Sequence, residues 1–139
     1  RSPAVVSGYY NRPQATVEAF HDGWFSSGDM GRIDEDGFLF LMGRKKEIIA
    51  IAGKEIFPLD IEEALLANPK IAEVAAAGIP GKSGTGSLKV AIVLKKGSMA
   101  TSEEIMTFCR QHTGLVPEEI EFRDALPRTP SGKVQRGAL

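Results

Sequence analysis

The stretch Glu47-Ile48-Ile49-Ala50-Ile51-Ala52-Gly53-Lys54-Glu55-Ile56-Phe57-Pro58-Leu59-Asp60-Ile61-Glu62-Glu63-Ala64-Leu65-Leu66 changes its apolar period midway, and that change decides the fold class. Two short runs, Glu47 to Ile51 and Lys54 to Phe57, flank Ala52-Gly53 and predict a hairpin. Pro58 then opens a helix at its first turn, where a missing N–H breaks no helical bond. Leu59, Ile61, Leu65 and Leu66 form its apolar stripe, with Asp60, Glu62 and Glu63 near the positive end of the dipole. Asn68-Pro69 stops it. Downstream, Glu73 to Ile79 and Leu88 to Leu94 read as strands. A helix opened and capped by Ser102-Glu103-Glu104 follows, lined by Ile105, Met106, Phe108 and Cys109, and Ile120 to Phe122 is a last strand. Strand, strand, helix, strand, strand, helix, strand is the order of a compact α+β module with a short antiparallel sheet and packed helices.

Upstream the pattern differs. Residues 1 to 28 mix short apolar runs with turn formers, including a short helix over Gln14 to Phe20 and an Asp22-Gly23 turn before Trp24-Phe25. Met30 to Ile33 and Phe38 to Met42 flank the turn Asp34-Glu35-Asp36-Gly37 and predict a β-hairpin. Gly43-Arg44-Lys45-Lys46 ends it in a burst of charge, so a domain boundary is expected after residue 43, with position 44 or 46 as the pivot.

Composition narrows the function classes. With 139 residues and 42% apolar side chains, the chain can bury one modest core. Seventeen basic and eighteen acidic residues leave a net charge of -1, so no general attraction to nucleic acid or to an anionic membrane is implied. No apolar run approaches a membrane span, and no signal-peptide pattern is seen. One cysteine, Cys109, cannot form an internal disulfide, and a cytoplasmic location is the default expectation. Position 1 is not Met, from which a fragment or processed chain is expected.

Several residues invite chemistry. The glycine-rich Gly81-Lys82-Ser83-Gly84-Thr85-Gly86 suggests a phosphate loop, yet Ala76 stands where the first glycine belongs and a strand follows instead of a helix; a flexible hairpin tip is the expectation. An independent nucleotide-binding protein using this loop would show ATP affinity dependent on Lys82. Cys109 is read as core, and His112 as a helix-end residue favourable to the dipole. Asp29 follows a glycine at a strand opening, where its carboxylate can accept two sugar hydroxyls or close an Asx-type turn. Lys133, within Pro127-Arg128-Thr129-Pro130-Ser131-Gly132-Lys133-Val134-Gln135-Arg136, has no periodic neighbours and belongs on an exposed loop, as a movable charge on a short tether. A compact ammonium there suits a carboxylate and a phosphate held side by side; the alternative is a solvated loop lysine.

Three stretches in fixed order, Trp24-Phe25-Ser26-Ser27-Gly28-Asp29, Gly43-Arg44-Lys45-Lys46-Glu47-Ile48-Ile49 with Gly53 and Ile61-Glu62-Glu63, and Pro127 to Arg136, resemble the last motifs of the adenylate-forming enzymes. That superfamily contains acyl-CoA synthetases, firefly luciferase and peptide-synthetase adenylation domains. The resemblance implies that residues 1–43 end a large N-terminal domain, and that 44–139 are the hinge and a small mobile C-terminal domain. It implies that Asp29 holds the adenylate ribose, that Arg44 assists on the same nucleotide, and that Lys46 is the hinge. Gly53 would leave room for a pantetheine arm, and Lys133 would bridge carboxylate and α-phosphate. ATP, CoA and Mg2+ follow as implied ligands, the metal site and acyl pocket lying in the large domain that this chain lacks. An AMP-forming acyl-CoA synthetase is the expected parent, the fragment alone being inactive. Loading of a carrier-protein pantetheine is the related alternative, and a non-catalytic interaction module the unrelated one. The stretch Thr113 to Pro117 lacks the Tyr-Lys pair frequent in the family before that proline.

Overall fold

In the computed structural model, which describes residues 2–81 and 86–139, the chain divides into two compact units, Arg1–Lys45 and Lys46–Leu139. The division falls after Lys45, where the sequence suggested residue 43.

The first unit holds helix α1 (Pro13–Ala19) and two small antiparallel hairpins. Strands β1 (Phe20–His21) and β2 (Trp24–Phe25) are joined by Asp22 and Gly23, whose φ angles of 49° and 76° are those of a turn that matches strand twist. Strands β3 (Asp29–Ile33) and β4 (Leu39–Arg44) pair so that Asp29 faces Arg44. Asp34 closes their turn, its Oδ1 accepting from the N–H groups of Asp36 (3.1 Å) and Phe38 (2.8 Å).

The second unit realises the α+β order. Strands β5 (Ile49–Ile51) and β6 (Lys54–Ile56) form the expected hairpin around Ala52-Gly53, and helix α2 runs over Pro58–Leu66. Strands β7 (Ile71–Pro80) and β8 (Gly86–Leu94) pair antiparallel, and helix α3 (Ser102–Thr113) leads to β9 (Glu119–Phe122). Gly81 and Gly86 bracket Lys82 to Thr85, so the predicted hairpin tip lies outside the described residues. The sheet corrects one expectation: β9 joins β8 in parallel, because the helical crossover returns the chain in its original direction. The sheet is therefore mixed, in the order β7-β8-β9.

Period-two alternation sorts the sheet's faces. Val74 and Ala76 of β7 and Leu88, Val90 and Ile92 of β8 pack with Ile61 and Leu65 of α2 and Ile105 and Cys109 of α3. The opposite face presents Ala75, Ala91 and Val93, covered by Leu126, Val134 and Leu139 of the C-terminal segment. The β5–β6 hairpin seats against β7 and β8 where side chains are absent. A Cβ on Gly78 would lie 3.1 Å from the Ile49 side chain, and one on Gly86 would collide with the Ala50 carbonyl oxygen.

Two further details depart from the sequence reading. The cap of α3 is Thr101, not Ser102: its Oγ1 accepts from Glu104 N–H (3.2 Å), and Glu104 Oε2 accepts from Thr101 N–H (3.2 Å). That reciprocal pair needs a hydroxyl three residues before the glutamate, a spacing only Thr101 satisfies. On α2, Leu66 is 47% exposed while Glu62 is 7% exposed. Glu62 shares the face of Pro58, Ile61 and Leu65, at i, i+3, i+4 and i+7.

A buried carboxylate must find donors, and Glu62 finds them in two directions. Its Oε1 accepts from Ala76 N–H at 2.9 Å. Arg136 Nε and Nη2 reach Oε1 and Oε2 at 3.0 and 2.7 Å, while Arg136 Nη1 reaches Glu47 Oε2 at 2.9 Å. Burial disfavours the Arg136 charge, but the hydrogen bonds and charges of Glu62 and Glu47 outweigh it and raise its pKa above the ordinary value. This cluster joins the 3-10 turn Lys45–Glu47, α2, β7 and the C-terminal segment.

Glu62→Ala should destabilise the second unit by about 2–4 kcal/mol, because it leaves the Ala76 N–H unpaired and strips a half-buried guanidinium of its bidentate partner, with Glu47 alone remaining to it; exposed Glu63→Ala should stay within about 0.5 kcal/mol. Urea denaturation distinguishes them. By the same measurement Thr101→Ala should cost about 1 kcal/mol and Ser102→Ala less than half as much.

Candidate functional site

The C-terminal segment is a tight hairpin. Thr129-Pro130-Ser131-Gly132 makes a turn closed by Gly132 N–H donating to Thr129 O (2.8 Å), with Pro130 pre-setting φ at the first central position. Gly132 follows at φ 86°, a value that favours glycine. Thr129 N–H donates to Lys133 O (2.8 Å), Lys133 N–H to Thr129 Oγ1 (3.1 Å), and Gln135 N–H to Pro127 O (2.8 Å). Arg128 bridges the two limbs: it pairs with Val134 across the hairpin, donates from Nη1 to Gly132 O (2.8 Å), and forms an ion pair with Glu73 of β7.

Along the returning limb, Val134 packs on the sheet and Arg136 enters the carboxylate cluster, so the alternate residues Lys133 and Gln135 face outward. Lys133 is accordingly exposed, and among the described residues its ammonium has no ion-pair partner. The expectation of an exposed lysine holds. The tether is different from expectation: the backbone is fixed on both sides, and only the side-chain methylenes can move.

Lys46 and Gly53 belong to the same unit as Lys133, on other segments. Lys46 lies in the 3-10 turn, exposed, and borders a cavity of about 210 Å³ with Glu47, Ile48, Ala77, Gly78, Arg136 and Gly137. Gly53 stands at the tip of the β5–β6 hairpin with φ 76°, exposed, and nothing would lie within 4 Å of a Cβ placed there.

Asp29 and Arg44 meet in the first unit. Their register partnership across β3 and β4 brings Arg44 Nε to Asp29 Oδ1 at 2.9 Å, and Arg44 Nη1 also donates to Ser27 O at 2.8 Å. The turn before β3 is closed by Ser27 Oγ, which accepts from Asp29 N–H at 3.1 Å. The Asp29 carboxylate is thus held by a guanidinium and not by an Asx turn; its side chain is 39% exposed, open to hydroxyls from outside.

Cys109 and His112 keep the structural roles expected of them. Burial pushes the Cys109 thiol up, opposed by a contact to Thr113, which leaves it a poor nucleophile. His112 stacks on Phe108 at 3.9 Å between ring centroids, and its Nδ1 lies 2.9 Å from Phe108 O. The sequence reading missed the roles of Glu47, Glu62 and Arg136. The available signal was a glutamate at position 62 inside the stripe formed by residues 58, 61 and 65.

Among the described residues no group of three or more histidine, cysteine or acidic side chains could hold a metal ion, and no helix is long and apolar enough to cross a membrane.

Comparison with known proteins agrees with this architecture. The chain is 41% identical to a long-chain-fatty-acid–CoA ligase of Bacillus subtilis and 38% identical to an oxalate–CoA ligase of Arabidopsis thaliana, over 100% and 98% of its length. It spans 25% and 27% of those proteins, about a quarter of their length. Among solved structures, the amide bond synthetase McbA of Marinactinospora thermotolerans superposes with a TM-score of 0.90 at 31% identity, over 99% of this chain and 29% of that one. ATP-bound MatB of Rhodopseudomonas palustris gives 0.90 at 30% identity, over 99% and 28%. The model of the AMP-binding enzyme C-terminal domain matches residues 60–133, more than half of the sequence and ending on the lysine of the hairpin, and the chain belongs to that family.

Proposed function

We propose that this chain is the C-terminal part of an AMP-forming acyl-CoA synthetase, which converts a carboxylate, ATP and CoA to acyl-CoA, AMP and pyrophosphate. The observation that carries the reading is Lys133, displayed without an ion-pair partner among the described residues, on a rigid hairpin whose limbs are tied by Thr129 before it and anchored by Val134 after it. The names of the curated relatives support CoA as acceptor, and those of the bacterial ones a fatty acid as substrate.

In the first half-reaction a carboxylate oxygen attacks the α-phosphorus and pyrophosphate leaves. Two anions about 4 Å apart repel by roughly 4 kcal/mol at an effective dielectric near 20. An ammonium between them offsets this repulsion and stabilises the charge that develops in the transition state. Lys133 holds that place. Asp29 accepts the ribose hydroxyls, with Arg44 orienting its carboxylate and contributing a positive charge on the same nucleotide. In the second half the thiol of CoA attacks the acyl carbonyl and AMP leaves. Residues 44–139 turn about Lys46, withdraw Lys133, and bring up the Gly53 turn, whose missing side chain gives the pantetheine arm room.

Residues 1–43 end the larger domain. Exposed Phe38, Leu39, Phe40 and Leu41 on their hairpin support this, since such a patch ordinarily has a covering partner. The described acidic residues do not fit a metal site, so Mg2+, where required, takes its ligands from that domain. A cytoplasmic location accords with the substrates.

In the full-length protein, Lys133→Ala should lower carboxylate-dependent pyrophosphate release by a factor of about 10² or more. Thioester formation from a supplied acyl adenylate should persist. Loss of neither would refute the proposal and leave the hairpin a structural tail.

A further inference from the structure

The limb that carries Lys133 is held from within by Arg136, and the grip reaches the residue next to Lys46. Arg136 Nε and Nη2 bind both oxygens of Glu62, and Nη1 binds Glu47 Oε2. Glu62 is fixed independently by the Ala76 N–H of β7, so it is a stationary anchor for the guanidinium. Glu47 is different: it lies in the 3-10 turn directly after Lys46, and its side chain is 28% exposed. Its contact with Arg136 ties that turn to the C-terminal limb across 89 positions of sequence.

We propose that Arg136 is a positioning residue for adenylation, its planar fork locking the Lys133 limb and Glu47 into one rigid body. The inference rests on the roles proposed above for Lys133 and Lys46. It has two consequences. Backbone rotation is confined to the N-terminal side of Glu47, because Glu47 moves with the second unit. The Lys133 backbone is delivered to one place each time the unit turns, because the limb cannot shift against the segment that follows the pivot, and Nζ searches only the reach of its own methylenes. Only a guanidinium serves both carboxylates in this way: its donors lie in a fixed plane and leave in two directions, whereas a lysine at 136 would offer a point charge to one carboxylate or hover between them.

The test uses Arg136→Lys and Glu47→Gln in the full-length protein, with Lys133→Ala alongside and the two half-reactions assayed separately. Arg136→Lys should lower kcat for pyrophosphate release by about tenfold to a hundredfold, as a displacement of the reacting group near 1 Å does. KM for ATP and for the carboxylate, and thioester formation from supplied acyl adenylate, should stay within about twofold, since the interaction serves one transition state. Glu47→Gln keeps the Glu62 anchor and should lower the same kcat by a smaller factor, with Arg136→Lys and Glu47→Gln non-additive when combined. Amide exchange in Glu47→Gln should quicken together at residue 48 and at residues 132 to 135, which a purely local effect would not produce.

Pyrophosphate release at the parent rate in Arg136→Lys, with Lys133→Ala inactive, overturns the coupling and leaves the proposed function standing. A silent Lys133→Ala removes the proposed function itself, whatever Arg136 does. If Arg136→Lys depresses both half-reactions equally while Glu47→Gln changes neither, Arg136 serves the fold alone and the inference is wrong.

Discussion

A carboxylate on the apolar face of a helix is the constraint from which much of the second unit follows. Glu62 lies between Ile61 and Leu65, where a methyl group would bury without penalty. Taking its charge out of water costs several kcal/mol unless donors replace the lost hydration. One donor is a backbone amide of β7, which fixes how α2 sits on the sheet. The others belong to Arg136, so the chain must return from β9 across the far face of the sheet and end beside α2. Leu126, Val134 and Leu139 lie along that return path and cover Ala75 and Ala91. The polar cluster specifies where the segment ends, and the apolar contacts hold it there.

The same logic separates what the sequence made legible from what it hid. Hairpin β5–β6, helix α2, strands β7 and β8 and helix α3 all have local signatures: a turn dipeptide, a proline at the first turn, or an unmixed period. Glu62 was misread because a charged residue near a helix N-terminus is ordinarily solvated and dipole-stabilised, and nothing local distinguishes one that is buried. Its partners stand 74 positions away for Arg136 and 14 for Ala76, beyond any periodicity. Thr101 was overlooked in favour of Ser102 because both can cap, and only the distance to Glu104 separates them. The direction of β9 depends on the crossover and not on the strand's own residues.

The candidate site shows a similar division. Asp29 and Arg44 were singled out separately, yet their contact is a matter of hairpin register: the turn at Asp34 to Gly37 sets the pairing as far as Gly31 with Leu41, and a one-residue shift between Met30 and Gly31 then brings Asp29 opposite Arg44. Exposure of Lys133 was readable from the absence of period around it. The stiffness of its backbone was not, since it comes from Arg128, which ties the turn to Glu73, and from alternate anchoring at 134 and 136. Glycine also acts in two distinct ways. Gly53 and Gly132 supply left-handed backbone in turns, whereas Gly78 and Gly86 supply empty space into which the β5–β6 hairpin settles. The placement of the Gly53 turn therefore depends on two glycines in another pair of strands.

The separation of Glu47 and Arg136 also bears on how the unit is born. On a ribosome adding about 5–20 residues per second, the 89 positions between them take on the order of 4–18 seconds to emerge. For that interval α2 and the turn at Lys45–Glu47 carry two carboxylates whose shared cation does not yet exist. The nascent unit can assemble α2, α3 and the sheet around their common core, but it holds Glu62 by one amide alone until Arg136 arrives. Completion of this unit is thus timed by its C-terminal segment, and the limb that presents Lys133 is among the last parts to be set in place.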